Sequence, residues 1–166
     1  ETSEIDKAVS MIASAKKPLF YCGGGVINSG PKACRQLDRF VKLTGAPITL
    51  TLMGLGAYPG TDKQSLGMLG MHGTYEANLA MHNADLIIAV GSRFDDRITG
   101  RLDAFAPKSK KIHIDIDPSS INKNVQVDLP IVGDVGNILD QILKAWKAKR
   151  LKMNCLLYTS DAADEE

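Results

Sequence analysis

Short, continuous apolar runs alternate along this chain with longer stretches in which apolar residues recur every three or four positions. The clearest run covers residues 86–90, LIIAV. A run this short and this apolar is typical of a strand that is buried on both faces of a parallel sheet. Further strands are predicted at 19–22, 47–51, 112–116 and 131–132.

The stretches between these runs have helical spacing. Helices are predicted over 3–16, over 31–45, after Thr74 as N-cap, and after the Gly-Asp pair at 133–134. Alternating strands and helices indicate an α/β fold. The expected architecture is a doubly wound, mostly parallel, six-stranded sheet with helices on both faces.

One domain is expected over residues 1–150 of the 166-residue chain. The last residues, 151–166, have no usable periodicity and end in acids. They are interpreted as a non-native tail, with a natural linker as the alternative. Because the sequence does not begin with Met, we expect it to start within a longer protein.

Composition narrows the partners that this chain is expected to have. A net charge of +1 gives no field that would recruit nucleic acid or an anionic membrane. No apolar run approaches the roughly 20 residues of a membrane span, and the spaced apolar residues of the amino terminus do not resemble a signal peptide. Cys22, Cys34 and Cys155 lack metal-binding spacing, which favours a reducing compartment.

Polar and glycine-rich segments follow nearly every predicted strand. They lie at 23–25, 51–54, 69–73, 91–98, 115–120 and 133–134. Carboxyl ends of parallel strands meet at one edge of a sheet, where ligands bind in open α/β folds. This convergence favours a ligand site over a set of independent, solvated loops.

Each of these segments also has a plainer interpretation. The Gly-Gly-Gly at 23–25 could be only a tight turn, since it is not the GxGxxG of dinucleotide-binding folds. The Arg and Asp residues at 93–97 could be exposed ion pairs. Asp115 is placed to accept hydrogen bonds from a ribose, but Asp117 and Ser119 could simply cap a helical turn. Met and Leu residues within 52–73 favour packing against a flat apolar group, or they fill gaps in the core.

Three motifs resemble one known family. They are TLMGLGAYP at 51–59, LGMLGMHGTYEANLAMHNADLIIAVGSRFDDRITG at 66–100, and HIDIDPSSINKN at 113–124. Over about residues 18–144 the chain resembles the central domain of the large catalytic subunit in the acetolactate synthase (acetohydroxyacid synthase) family. The segment RFDDRITG at 93–100 is the most diagnostic part.

The resemblance implies a function for the whole subunit. Such enzymes use thiamine diphosphate and Mg²⁺, held by other domains, to condense two pyruvates to 2-acetolactate and CO₂, or pyruvate with 2-oxobutyrate. The products serve branched-chain amino acid biosynthesis. The central domain would be a Rossmann-like, DHS-like domain that binds FAD and is not catalytic alone. Homodimers or homotetramers, a small regulatory subunit, and a cytoplasmic (bacterial) or organellar (eukaryotic) location are also implied.

The resemblance assigns FAD contacts to segments that follow the strands, and it assigns no catalytic or metal residue to this chain. The ribityl and phosphate groups would be met by Gly23, Gly24, Gly25, Gly91, Ser92, Arg93, Asp95, Arg97 and Ile98. The isoalloxazine ring would be met by Thr51, Leu52, Met53, Leu69, Gly70, Met71 and His72. The adenosine would be met by Asp115, Ile116, Gly133, Asp134 and Val135.

Two alternatives stay open at this point. One is the NAD- or FAD-binding domain of a different protein, such as another thiamine-diphosphate enzyme like glyoxylate carboligase or a nicotinamide-binding relative. The other is a free-standing binding module without catalytic function, since a fold does not determine a function.

Overall fold

A computed structural model describes residues 2–68, 74–92, 109–121 and 126–151. Their strands are β1 (Pro18–Cys22), β2 (Ile48–Leu50), β3 (Ser65–Met68), β4 (Leu86–Val90), β5 (Lys110–Asp115) and β6 (Leu129–Val132). Their α-helices are α1 (Thr2–Ser14), α2 (Gly24–Asn28), α3 (Pro31–Thr44), α4 (Tyr75–Asn83) and α5 (Val135–Ala148). Short 3₁₀ turns lie at Leu52–Gly54 and Pro118–Ser120.

The six strands form one sheet in the order β3-β2-β1-β4-β5-β6, and every neighbouring pair is parallel. β1 and β4 lie side by side at its centre, with Phe20 opposite Ile88. This is the strand order of doubly wound nucleotide-binding folds. The predicted fold class, a Rossmann-like α/β fold with a six-stranded parallel sheet, is confirmed.

The central strands are buried on both faces, as their continuous apolar sequences predict. One face packs against α1, α3 and α5, and the aromatic ring of Phe40 on α3 meets the rings of Phe20 and Trp146 edge-on at 5.4 and 6.2 Å. The other face packs against α4 through Ala77 and Met81. Residues alternate between the two cores along each strand, so Ile88 faces the first core and Ile87 the second.

Two elements differ from the sequence-based expectation. The sequence predicts no strand within 52–73, but Ser65–Met68 forms the edge strand β3. Of the residues in this strand, only Leu66 is fully buried. The strand lies at the edge of the sheet, where a continuous apolar run is not needed. The glycines at 23–25 do not form a simple turn, since Gly24 begins the short helix α2, which buries Val26.

The predicted N-cap at Thr74 is confirmed by its side chain, which accepts a hydrogen bond from Ala77 N.

Polar side chains connect the strands at the opposite, amino-terminal edge of the sheet. The carboxylate of Asp85, just before β4, accepts hydrogen bonds from Lys16 N and Lys17 N at 2.8 and 2.9 Å. Asp128, just before β6, accepts one from Lys111 N at 2.8 Å. Gln64, just before β3, is 7% exposed and donates from Nε2 to the carbonyls of two residues that precede β2. These contacts set where each strand begins relative to its neighbour.

Gln64→Ala is expected to lower the free energy of unfolding by about 1–3 kcal/mol. Its Nε2 lies 2.8 Å from Ala46 O, which would lose this buried donor, and 2.9 Å from Val41 O, which also accepts from Thr44 Oγ1 and Gly45 N. Urea unfolding of the two proteins measures the difference. The matched control is the exposed neighbour Lys63→Ala, for which a change within about 0.5 kcal/mol is expected. Equal effects of the two substitutions would contradict this role of Gln64.

Candidate ligand site at the carboxyl edge of the sheet

The strand order places a topological switch point at the centre of the sheet. The chain leaves β1 toward β2 on one side and leaves β4 toward β5 on the other, so the connections diverge at this point. Ligands of open α/β sheets bind at such a switch point, just outside the carboxyl ends of the strands. Here the two diverging segments are Gly23–Gly25, after β1, and Gly91–Ser92, after β4.

These two segments cross in direct backbone contact. Gly25 N donates to Gly91 O at 2.9 Å. A Cβ atom at Gly25 would lie 2.7 Å from Gly91 Cα, and one at Gly23 would lie 2.6 Å from Gly91 O. Gly91 itself has φ +59°, a conformation that glycine adopts without strain. Glycine is therefore required on both sides of this crossing.

Two of the three amides in the glycine triplet donate hydrogen bonds to the end of β4 and to the residue after it. Gly23 N donates to Val90 O at 3.0 Å, and Gly25 N donates to Gly91 O. Both N–H groups are therefore bonded to carbonyls of this chain. The close contact that the glycines allow here is between two segments of the protein backbone. Contact of Gly23, Gly24 and Gly25 with a cofactor stays a prediction.

Ser92 forms hydrogen bonds with both strands that flank β4. Its hydroxyl donates to Tyr21 O on β1 at 3.0 Å, and its carbonyl lies 2.7 Å from Nε2 of His113 on β5. Gly91 N donates to Ile114 O, also on β5, at 2.8 Å. With 1% of its surface exposed, Ser92 fixes the point at which the chain leaves the sheet.

His113 is a residue of this region that the sequence analysis missed. It is fully buried within β5. A carbonyl oxygen only accepts hydrogen bonds, so the proton lies on Nε2. Desolvation lowers the pKa of His113 below its usual value, opposed by the Ser92 carbonyl and by Asp115, whose Oδ2 lies 3.5 Å from Nε2. The sequence signal was a polar residue between the apolar residues Ile112 and Ile114.

Asp115 ends β5 and presents its carboxylate at the same edge. Oδ1 accepts from Asp117 N at 3.0 Å, and Oδ2 faces His113. A carboxylate has about four acceptor positions, so Asp115 retains capacity for a ligand hydroxyl. The capping interpretation of Asp117 is confirmed, since its Oδ1 accepts from Ser119 N at 2.9 Å. Asp134 likewise caps α5 by accepting from Asn137 N.

Exposed apolar side chains are concentrated at this edge. Leu52 and Met53, in the turn after β2, are 69% and 76% exposed. Of the large apolar residues that are exposed in the described ranges, only Leu43 lies elsewhere; the others at this edge are Ile27, Leu55, Tyr75, Ile116 and Val132. An exposed apolar surface at this edge indicates that something covers it, such as a flat ring or another domain.

The structure brings the described candidate residues to one edge. Those that end or follow β1, β2, β4, β5 and β6 are Gly23, Gly24, Gly25, Thr51, Leu52, Met53, Gly91, Ser92, Asp115, Ile116, Gly133, Asp134 and Val135. The candidates at 69–72 and Arg93, Asp95, Arg97 and Ile98 lie outside the described residues. Within the described ranges, no group of three or more His, Cys, Asp or Glu side chains could hold a metal ion. None of the helices in those ranges has the length and apolarity needed to cross a membrane.

Comparison with known proteins gives consistent matches. A family described as "thiamine pyrophosphate enzyme, central domain" matches residues 5–142. The chain is 52% identical to the acetolactate synthase large subunit of Haemophilus influenzae over 149 residues, which is 90% of this chain and 26% of that protein. It is also 52% identical to the acetolactate synthase isozyme 3 large subunit of Escherichia coli over 141 residues, 85% of this chain and 24% of that protein. The chain thus spans about a quarter of the length of these relatives.

Gly25→Ala is expected to lower the free energy of unfolding by about 1–3 kcal/mol or more, because the new methyl group would force two backbone segments apart. The matched control is Gly60→Ala. A Cβ atom at Gly60 meets nothing within 4 Å, so a change within about 0.5 kcal/mol is expected there. Urea unfolding followed by circular dichroism measures both. A Gly25→Ala protein as stable as the Gly60→Ala protein would show that the crossing is not as tight as described.

Proposed function

Because this chain belongs to the family of thiamine pyrophosphate enzyme central domains, we propose that it is the central domain of an acetolactate synthase large subunit and that its carboxyl edge binds FAD. The observation that carries the proposal is about 50% identity to acetolactate synthase large subunits over 85–90% of this chain. In the full-length subunit the reaction would join two pyruvates, or pyruvate and 2-oxobutyrate, with loss of CO₂.

The residues at the edge suit the chemistry of FAD. Leu52 and Met53 offer exposed apolar surface to a large flat ring. The carboxylate of Asp115 suits the hydroxyls of a ribose, as acids at strand ends do in nucleotide-binding folds. Arg93 and Arg97 follow β4 directly in sequence, and guanidinium groups bind phosphates through paired hydrogen bonds.

The proposed role of this chain is to hold and orient a cofactor. FAD, when bound, would supply no net oxidation or reduction to the condensation. Thiamine diphosphate and Mg²⁺ would be held by other parts of the full-length subunit. The isolated chain would therefore form no acetolactate. We further propose that the full-length protein is a homodimer or homotetramer with a small regulatory subunit, located in the cytoplasm of a bacterium or in an organelle of a eukaryote.

A nicotinamide dinucleotide is the competing ligand. NAD and FAD share an adenosine diphosphate half, so Asp115 and the switch point at the centre of the sheet suit both. The exposed pair Leu52 and Met53 favours the flavin, since the isoalloxazine ring offers much more flat apolar surface than nicotinamide does.

Calorimetric titration of the 166-residue chain with FAD, NAD⁺ and NADP⁺ tests the assignment. We expect FAD to bind more tightly than either nicotinamide dinucleotide. Arg93→Ala and Asp115→Ala should each weaken FAD binding roughly tenfold or more, because each removes a charge-assisted hydrogen bond. Lys63→Ala, an exposed cation next to the start of β3, is the control and should change the affinity little.

Tighter binding of NAD⁺ or NADP⁺ than of FAD would contradict the assignment and favour the nicotinamide alternative. No binding of any of the three by a folded chain would favour a module without this function. If FAD binds but Arg93→Ala has the affinity of the Lys63→Ala control, the phosphate role of Arg93 is wrong.

A further inference from the structure

A buried imidazole joins the two strands that lead into the candidate site. His113 has no solvent exposure, so it cannot touch a ligand that binds at this edge. Its Nε2 nevertheless lies 2.7 Å from the carbonyl of Ser92 and 3.5 Å from the carboxylate of Asp115. Ser92 follows β4 and Asp115 ends β5. The Nε2–H group of His113 therefore lies between a residue that follows β4 and a residue at the end of β5.

We propose that His113 is a positioning residue of the ligand site, which holds the Ser92 carbonyl through Nε2–H and thereby fixes the crossing of Gly91 over Gly25. The part that concerns FAD rests on the proposed function. The part that concerns the crossing does not, because it is a statement about the chain without a ligand.

The contacts around Ser92 connect the imidazole of His113 to the backbone of Gly91. The Ser92 hydroxyl donates to Tyr21 O, whereas its carbonyl has His113 as donor. The preceding residue, Gly91, donates to Ile114 O and accepts from Gly25 N. Without the imidazole donor, a buried carbonyl would lose its partner, which costs free energy and favours a shift of this segment. Such a shift would move the Gly91 backbone relative to Gly25.

Variants of His113 separate the hydrogen bond from mere filling of space. A glutamine side chain can place its amide nitrogen near the position of Nε2, so His113→Gln keeps a donor for Ser92. His113→Leu fills space without a donor. His113→Asn is polar but too short to reach Ser92, and it decides the matter if the leucine variant does not fold. The control is Thr49→Val, which removes another fully buried hydrogen bond, from Thr49 Oγ1 to Phe20 O at 3.0 Å, elsewhere in the sheet.

Amide hydrogen exchange in the ligand-free, ¹⁵N-labelled chain is the first measurement. The amide of Gly25, which donates to Gly91 O, reports the crossing, and the amide of Gly91, which donates to Ile114 O, reports how the same segment is held by β5. The amide of Thr51, which donates to Cys22 O at 2.9 Å, reports general opening at the same edge. In His113→Leu and His113→Asn, exchange of Gly25 and Gly91 should accelerate about tenfold relative to Thr51, because the opening is local. His113→Gln and Thr49→Val should leave this ratio within about threefold of the wild-type ratio.

FAD affinity of the folded variants is the second measurement. We expect about tenfold weaker binding in His113→Leu and His113→Asn, with His113→Gln and Thr49→Val within about threefold of the wild-type chain. Rescue by glutamine would not be expected of a residue that only fills the core.

Two results would overturn the inference. Unchanged exchange ratios in the leucine and asparagine variants would show that His113 does not hold the crossing. Altered ratios with unchanged FAD affinity would show that the crossing does not position the ligand. If the wild-type chain binds no FAD, the proposed function fails, and the exchange ratios alone decide whether His113 holds Gly91 against Gly25.

Discussion

The backbone contact between Gly25 and Gly91 is the constraint on which the candidate site depends. It joins the segments that leave β1 and β4, the two central strands, through a hydrogen bond of 2.9 Å. No side chain fits between them, because a Cβ atom on either glycine would lie 2.7 Å from the opposite backbone. The contact lies at the switch point of the sheet, the position where doubly wound folds bind ligands.

The two edges of the sheet are built differently. At the amino-terminal edge, Gln64, Asp85 and Asp128 use their side chains to satisfy backbone groups at the start of β5, in the segments just before β1 and β2, and in α3. At the carboxyl edge, Leu52 and Met53 are left exposed, and Asp115 retains acceptor capacity. Structural hydrogen bonds thus occur at both edges, whereas the groups that suit a ligand lie at the carboxyl edge.

Much of the fold could be predicted because its central strands are continuous apolar runs buried on both faces. The convergence of the candidate segments followed from the parallel sheet alone. Strand β3 was missed because an edge strand with one fully buried residue, Leu66, has no apolar pattern. The helix that begins at Gly24 depends on tertiary contacts of Val26. His113 was missed because sequence does not reveal that its donor meets the carbonyl of Ser92, 21 residues away in the chain.

The central claim is that a dinucleotide binds where Gly91 crosses Gly25, and mapping the bound ligand tests it most directly. ¹⁵N-labelled chain titrated with FAD would be followed by the amide resonances of both edges. The largest changes in amide chemical shift are expected at the carboxyl edge, at Gly24, Met53, Ser92 and Ile116, with little change at Lys17 and Lys111. Shifts that are largest at the amino-terminal edge, or spread evenly over the sheet, would contradict it.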